Sequence, residues 1–286
     1  MSTQTRPGSF LAALAQVATC PGQYSHNLAR HLDAVDRARR AGADLVLFPE
    51  LSLSGYLLAH GVMEEAFDAD DARLRPLLDA SRRVSIVVGV PLRERGGGIS
   101  NAALLLEEGE VRGIHRKLYL PTYGMFDEGR YFVPGRRLAP MESRLGRFGV
   151  LICEDAWHLS TAVLLAQEGV DAFLVVAGGP TEIDGGEQPG GTRRWHWIVG
   201  ATAVTCVTPV CFANRCGWEE GILFGGGSWA VDARGADLAE PAPAVGEALV
   251  MATVSAADTA RTRTLVPILN AERRDLWRRF EGDGDA

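Results

Sequence analysis

Apolar runs alternate with amphipathic segments along most of this 286-residue chain, and this alternation restricts its fold more than any other feature. The segment SHNLARHLDAVDRARRAGA is predicted as a helix that stops at Gly42. Its apolar face comprises Leu28, Leu32, Val35 and Ala38. The clearest strands are DLVLFPE, VSIVVGVP, RFGVLICED and DAFLVVAGG. Strands that alternate with helices over this length predict a layered α/β domain, whereas the pattern leaves parallel and mixed sheets both open.

Other segments complete the expected organisation of one domain over residues 1–286. NAALLLEEGEVRGIHR predicts two strands joined at Glu108–Gly109. The stretch from Asp258 to Phe280 is expected to be helical in part and is rich in arginine. The Gly- and Pro-rich segment 178–192 is the longest predicted loop, and loops of such length are either functional or flexible.

Composition excludes several classes of function. The formal net charge is −7 with no basic block, so nucleic-acid binding is not expected. The sequence contains no run of about 18 apolar residues, so no membrane span is predicted. The opening RPGSFLAALAQVATC has some features of a secretory signal, but Gln16 interrupts its apolar stretch and a packed α/β unit follows, so no signal peptide is expected.

The five cysteines form no C-x-x-C pair and no paired framework, which favours a reduced, cytoplasmic location. CVTPVCFANRC spaces three of them evenly without nearby histidines, so we interpret these as buried apolar residues and expect no metal site.

One cysteine stands apart, because in FGVLICEDAW Cys153 ends an apolar strand and precedes Glu154 and Asp155. A thiol reacts as the thiolate, and the two acids would raise the thiol pKa above its usual value of about 8.5. A nucleophilic role therefore requires a general base nearby. None of the six histidines lies in a recognisable Cys–His motif, so carboxylates are the alternative.

Two further polar residues also follow strands. Glu50 ends the apolar run LVLFPE, and desolvation would make its carboxylate a stronger base. Lys117 follows a strand in GIHRKLYLP and would offset negative charge and donate to a developing oxyanion. Taken alone, Glu50 is equally compatible with a solvated strand-end carboxylate, and Lys117 fits an ordinary surface lysine better. Since all three lie just past strands, an α/β fold would bring them together at one edge of a sheet.

The segments FPELSLSGY, HRKLYLP and GVLICED resemble the Glu–Lys–Cys motifs of the nitrilase superfamily, the carbon–nitrogen hydrolases. The resemblance covers nearly the whole chain, including the late segment FANRCGWEEGILFGGGSWAVDARGADLAE. It implies a four-layer α–β–β–α sandwich without metal or organic cofactor. It also implies a homodimer or larger homo-oligomer, with the tail from about residue 258 packing at the subunit interface.

The resemblance also implies roles for the candidate residues. Glu50 would be the general base, and Lys117 would stabilise the tetrahedral intermediate. Cys153 would form a thioester, with its own N–H in the oxyanion hole. Glu128 in FDEGRYF matches a second glutamate of one branch.

The motifs are most similar to the glutaminase domain of glutamine-dependent NAD synthetase. By that similarity Tyr123, Phe126 and Glu154 would line the substrate pocket. Two differences argue against glutamine. The synthetase domain is absent from the 286 residues, so the hydrolase is expected to be free-standing, and Gly178 and Gly179 stand where the branch has a serine-bearing segment. We expect the two glycines to offer backbone N–H groups to a different substrate.

Several alternatives remain open at this point. Trp195, Trp197, Arg193 and Arg194 are compatible with a pocket wall and a carboxylate clamp, but periodicity favours an amphipathic helix with its aromatics in the core. Trp157 is assigned to the substrate pocket and has the same alternative. The expected reaction is hydrolysis of a small linear amide to an acid and ammonia. The alternatives are a glutaminase subunit that supplies a separate synthetase, a nitrile hydrolase, acyl transfer to an amine, and an inactive binding protein on the same fold.

Overall fold

The computed structural model describes residues 8–182 and 190–273, and two mixed β-sheets form its centre. The strands are β1 (Ser9–Gln16), β2 (Leu45–Leu47), β3 (Ser85–Arg93), β4 (Ile99–Glu107), β5 (Glu110–Arg116), β6 (Met141–Ser143), β7 (Gly146–Ile152), β8 (Ala172–Ala177), β9 (Val210–Asn214), β10 (Cys216–Glu219), β11 (Ile222–Gly225), β12 (Trp229–Val231) and β13 (Ala248–Ser255). The α-helices are α1 (Tyr24–Arg40), α2 (Val62–Glu65), α3 (Arg75–Ser81), α4 (Glu128–Tyr131), α5 (Leu159–Gln167), α6 (Gly190–Thr205) and α7 (Ala256–Leu265).

The first sheet has the strand order β13–β1–β2–β3–β4–β5, and the second has the order β12–β9–β8–β7–β6. Strands β1, β2 and β3 are parallel to one another, as are β7, β8 and β9, while the outer strands pair antiparallel. The parallel strands are connected through helices, as a parallel pair requires. A separate hairpin of β10 and β11 follows β9.

The two sheets pack face to face, and helices cover both outer faces. Phe10 of β1 meets Phe148 of β7 edge-on between the sheets, with ring centroids 5.5 Å apart. Helices α1 and α3 bury Val35 and Leu77 against the first sheet, and α5 and α6 cover the second sheet. Indole stacking of Trp195 of α6 on Phe212 of β9 belongs to this outer contact. The predicted four-layer α–β–β–α sandwich is confirmed.

The β4–β5 hairpin forms as the sequence predicts. Glu108 and Gly109 both adopt positive φ, 56° and 87°, and such a two-residue turn matches the twist of the paired strands. Helix α1 also forms, but its buried face differs from the predicted one. Leu28 and Leu32 are only partly buried, whereas Asn27 and His31 are buried completely. Two polar residues therefore belong to the buried face of this helix.

Helix α7 anchors the C-terminal segment to its own chain. The Arg263 guanidinium donates to the carbonyl of Val170 at 2.8 Å and to the carbonyl of Val207 at 3.0 Å. The residues beyond 273 that were predicted to continue this helix lie outside the described residues. Packing of the tail at a subunit interface stays a prediction. Within residues 8–182 and 190–273, no helix is long and apolar enough to cross a bilayer.

Candidate active site

Three strand ends bring the predicted residues Glu50, Lys117 and Cys153 to one region of the sandwich. Glu50 follows β2, Lys117 follows β5, and Cys153 follows β7. The Lys117 ammonium donates to Glu50 Oε1 at 2.6 Å, and both side chains have no solvent exposure. Lys117 is fixed through its backbone as well, because its N–H donates to the Asn101 carbonyl at 2.8 Å. The Lys117–Glu50 ion pair therefore connects the segment after β5 to the segment after β2 of the first sheet.

The Glu50 carboxylate is held by donors on both oxygens. Oε1 accepts from the Asn101 amide at 2.7 Å in addition to Lys117, and Oε2 accepts from the Gly178 N–H at 2.8 Å. The turn that carries Glu50 crosses β3 closely at Gly89. A Cβ at this glycine would lie 2.4 Å from the Leu51 nitrogen, so any side chain there would displace the turn.

Lys117 is shared between two carboxylates. Its ammonium also donates to Glu128 Oε1 at 2.7 Å, and the Tyr56 hydroxyl donates to the same oxygen. Glu128 Oε2 is buried without a hydrogen-bond partner among the described residues. Burial alone would lower the pKa of Lys117, but Glu50, Cys153 and Glu128 together raise it above its usual value. Burial raises the pKa of Glu128 to about 7, although Lys117 opposes the shift.

Cys153 occupies a strained turn at the end of β7. Its φ is 46°, in the left-handed region that non-glycine residues seldom adopt. The side chain is buried, and a short 3₁₀ turn, Cys153–Trp157, follows. Burial raises the pKa of the thiol, Glu50, Glu128 and Glu154 raise it further, and Lys117 opposes them. The thiol therefore rests protonated and requires a base to become a nucleophile.

Asp155 is a structural centre that sequence reasoning missed. Its Oδ1 accepts from the N–H groups of Leu118 and Tyr119, at 2.8 and 3.1 Å. Its Oδ2 accepts from the Ile152 N–H at 3.1 Å and pairs with His115 Nε2 at 2.9 Å. The sequence identified this carboxylate only as a charge beside Cys153. No pattern in the neighbouring sequence indicates that its partners lie in β5 and in the residues just after it.

Three predicted substrate-pocket residues are connected in the structure. The Tyr123 hydroxyl donates to Glu154 Oε2 at 2.8 Å, and the Tyr123 ring meets Phe126 edge-on with centroids 5.9 Å apart. Phe126 in turn contacts the ring of Tyr56, whose centroid is 6.4 Å away. Tyr123 is 57% exposed, so this wall opens to solvent. The group of Tyr123, Phe126 and Glu154 thus lies between solvent and the Tyr56–Glu128 pair.

The two glycines of the predicted loop differ from expectation. The Gly178 N–H donates to Glu50, and the Gly179 N–H donates to Asn214 Oδ1 at 2.9 Å. The prediction that both N–H groups are free for a substrate is wrong, because protein acceptors already use them. A side chain at Gly179 is excluded sterically, since a Cβ there would lie 2.4 Å from the Trp195 indole nitrogen.

The tryptophans divide between core and surface. Trp195 is buried, as the core interpretation requires, while Trp197 is 64% exposed and lies under the Arg193 guanidinium. Arg194 is also exposed. Trp157 is 43% exposed and contacts the Trp195 ring edge-on, at a centroid distance of 5.6 Å.

The remaining cysteines agree with the sequence interpretation, since Cys206, Cys211 and Cys216 are buried free thiols. Across the described ranges, no group of three or more His, Cys, Asp or Glu side chains is arranged to hold a metal ion.

The fold and the Glu–Lys–Cys cluster define a class that comparison with known proteins establishes. The carbon-nitrogen hydrolase family model matches residues 11–264, and the chain belongs to this family, within the nitrilase superfamily. Among its relatives is the glutamine-dependent NAD(+) synthetase of Acinetobacter baylyi, 31% identical over 84% of this chain and 43% of the relative. The Thermotoga maritima enzyme of the same name is 31% identical over 78% of this chain and 38% of its own length. The chain spans less than half the length of either relative.

Solved structures of similar length resemble the whole chain. The amidase from Nesterenkonia sp. AN1 has a TM-score of 0.79 and 27% identity, with 97% of this chain and 99% of that chain covered. In that structure, of a mutant amidase, the acetamide moiety of fluoroacetamide is covalently added at the active-site cysteine. A carbon-nitrogen hydrolase from Helicobacter pylori has a TM-score of 0.82 at 24% identity, covering 96% of this chain and 98% of that chain, and supports the fold alone.

Proposed function

We propose that this protein hydrolyses the carbon–nitrogen bond of a small linear amide, giving a carboxylic acid and ammonia through a thioester on Cys153. The observation that carries the proposal is the buried ammonium of Lys117 between two carboxylates, Glu50 and Glu128, at 2.6 and 2.7 Å. A fully buried lysine with two acidic partners beside a cysteine in a strained turn supplies a base, an electrophilic group and a nucleophile in one cluster.

Acylation begins with transfer of the thiol proton from Cys153 to Glu50 as sulfur attacks the carbonyl carbon. The Lys117 ammonium and the Cys153 N–H stabilise the negative oxygen of the tetrahedral intermediate. Collapse of the intermediate breaks the C–N bond, and Glu50 returns its proton to the leaving nitrogen, which departs as ammonia.

Deacylation repeats these steps with water. Glu50 takes a proton from water as the water oxygen attacks the thioester carbonyl. The intermediate then releases the acid, and the sulfur regains a proton from Glu50. Every proton that leaves a substrate or Cys153 thus passes through one carboxylate, and neither a metal nor a redox partner is required.

Glu128 has a second role under this proposal. Its Oε1 holds Lys117 and Tyr56, which leaves the unpartnered Oε2 available to an N–H donor. A substrate amide nitrogen would supply such a donor. Tyr123, Phe126 and Glu154 would form the wall for the acyl group, where an edge of aromatic surface adjoins a carboxylate.

The similarity to the Nesterenkonia amidase over nearly the full length of both chains supports an amide substrate. The similarity to glutamine-dependent NAD(+) synthetases makes glutamine a necessary arm of any test.

The test is ammonia release from a panel of primary amides, ureido acids and nitriles, with glutamine and asparagine included. Wild type is compared with Cys153→Ala and with Cys211→Ala, a matched removal of a buried thiol in β9. We expect release from at least one primary amide by wild type and Cys211→Ala, and loss of at least about 10³-fold in Cys153→Ala.

Other outcomes assign the site differently. Activity on glutamine alone would favour a glutaminase that supplies ammonia to a synthetase. Activity on nitriles alone would contradict the amide proposal. Release that persists in folded Cys153→Ala would exclude the thioester mechanism.

A further inference from the structure

The nucleophile turn and the lysine strand belong to different sheets, and one buried pair connects them. Lys117 leaves β5 of the first sheet, whereas Cys153 ends β7 of the second. The backbone N–H groups directly beside Lys117 and Cys153 converge on Asp155, which also pairs with His115. Farther along the two segments, the Tyr119 ring stacks on His158 at a centroid distance of 3.6 Å, and the Tyr123 hydroxyl donates to Glu154.

Asp155 uses both oxygens to connect the segments. One oxygen accepts from Leu118 and Tyr119, the two residues that directly follow Lys117. The other oxygen accepts from Ile152, the residue that directly precedes Cys153, and also pairs with His115. The carboxylate therefore fixes the backbone immediately beside both Lys117 and Cys153.

His115 provides the hydrogen-bond partner on the lysine side. It lies in β5 two residues before Lys117, and its side chain is 3% exposed while that of Asp155 is fully buried. A buried carboxylate with four partners has all its strong acceptor sites occupied, so it is well ordered and unavailable to a substrate. Among the described residues, neither His115 nor Asp155 hydrogen-bonds to Glu50, Glu128 or the Lys117 ammonium.

We propose that Asp155 and His115 are positioning residues that hold the Lys117 strand exit and the Cys153 turn in register, and that they set the reactivity of the thiol through this geometry. The inference rests on the proposed role of Cys153 as nucleophile. It reverses the interpretation of Asp155 from the sequence, where the acid was only a nearby negative charge.

The two interpretations predict effects of opposite sign for Asp155→Asn. If Asp155 acts only as a charge, its removal favours the thiolate, so Cys153 reacts faster at a given pH. If Asp155 positions Lys117, the amide cannot accept at both oxygen positions, and one NH₂ group would face the Ile152 N–H. The Lys117 ammonium, which opposes the effect of Glu50, Glu128 and Glu154 on the thiol, is then misaligned, and the thiol reacts more slowly.

The first measurement is the rate of iodoacetamide alkylation at Cys153, followed by peptide mass spectrometry across a pH series. We expect the pH profile of Asp155→Asn to move upward by about one unit, which makes alkylation about tenfold slower below the midpoint. This measurement needs no substrate, so it tests the positioning role even if none of the amides is hydrolysed.

The second measurement is steady-state kinetics on the best amide from the panel. We expect kcat to fall by about 10²-fold in Asp155→Asn with KM within about threefold, because misplacement of reacting groups acts on the chemical step. If wild type hydrolyses no amide while the alkylation shift is present, the proposed function fails and the positioning role stands.

Glu107→Gln is the matched control. Glu107 is also a buried carboxylate with several donors, accepting from Ser85 Oγ at 2.6 Å, Ser143 Oγ at 2.8 Å and the Arg144 N–H at 3.0 Å. Glu107 is the last residue of β4, whereas Asn101 lies near the start of that strand. The control is expected to lose stability without a change in the alkylation profile or kcat.

The His115 variants decide the question if Asp155→Asn does not fold. His115→Gln places an amide N–H near the position of Nε2, whereas His115→Phe keeps the ring and loses the donor. We expect His115→Phe to slow alkylation and His115→Gln to restore most of the rate. Unchanged or faster alkylation in Asp155→Asn, equal shifts in Glu107→Gln, or no difference between the two His115 variants would overturn the proposal.

Discussion

The buried imidazole of His31 predicts a defined acid dependence of stability. His31 Nδ1 lies 2.7 Å from the Asn27 carbonyl, and Nε2 lies 2.9 Å from Ser52 Oγ, two residues after Glu50. The ring stacks on Phe48 with centroids 4.2 Å apart. Because a carbonyl only accepts, Nδ1 carries the proton and Nε2 accepts from Ser52. Burial lowers the pKa of His31 to about 4.

The expected change in unfolding free energy follows from the difference between the folded and unfolded pKa values of His31. Against an ordinary 6.5, a folded pKa of about 4 corresponds to about 3 kcal/mol, at about 1.4 kcal/mol per unit. A lowered histidine pKa means that the unfolded chain binds the proton first. The stability is therefore fully present above about pH 6.5 and is lost as the pH falls towards 4.

Glu128 changes the pH dependence of stability in the opposite direction to His31, so unfolding of wild type alone does not reveal the contribution of His31. Its pKa is raised to about 7, and its contribution is present at low pH and is lost as the pH rises through 7. The informative quantity is the difference in unfolding free energy between wild type and His31→Gln at each pH, since the contribution of Glu128 cancels.

The assay is urea unfolding of both proteins between about pH 7 and pH 4, with His26→Gln as the control on the exposed side of α1. We expect the stability advantage of wild type over His31→Gln to shrink by about 3 kcal/mol across this interval. His26→Gln should stay parallel to wild type. A difference that remains constant within the error of the extrapolation would refute the assignment of His31 as a buried neutral group.

Three other substitutions have expected outcomes. In wild type, activity should rise with pH near 7, because ionised Glu128 orders Lys117. Glu128→Gln should abolish this rise in the pH–rate profile. If the rise remains, it belongs to another group. Gly179→Ala should lower the unfolding free energy by about 1–3 kcal/mol in urea melts, because its Cβ would lie 2.4 Å from the Trp195 indole nitrogen; unchanged stability would contradict this packing. Arg215→Met should cost about 3–5 kcal/mol by leaving the buried Glu219 unpaired, and a double variant with Glu219→Gln should recover part of that loss in the same melts.

Strand ends were the part of the site that the sequence could predict. Glu50, Lys117 and Cys153 each follow an apolar run, and a strand end is a local feature that composition and periodicity indicate well. The pairing of those ends across two sheets is not local. The sequence indicated that an edge would collect them, but the structure alone specifies the distance between Lys117 and its two carboxylates.

Buried polar residues were the part that the sequence could not predict. Gln16 interrupts the first apolar strand and weakened its hydrophobic pattern, yet it is completely buried. Its amide donates to the carbonyls of Pro243 and Gly246 at 2.8 and 2.7 Å, and its Oε1 accepts from the Ser228 N–H at 3.0 Å. Partners more than 200 positions away leave no trace in a window of neighbouring residues. Asn27 and His31 on α1 are also buried, and each has a partner outside the helix, Leu53 and Ser52 respectively.

The charges of the site favour general-base catalysis over a preformed thiolate. Lys117 is one cation facing two carboxylates, so the cluster carries a net negative charge whenever Glu128 is ionised. A thiolate at Cys153 would add a further negative charge inside a buried site, and this is why the thiol pKa is raised although an ammonium lies nearby. Transfer of the proton to Glu50 during attack leaves the total charge of the cluster unchanged. Under the proposed mechanism Lys117 therefore acts mainly on the oxyanion that forms later, and its partial offset of the acids does not leave a resting thiolate at Cys153.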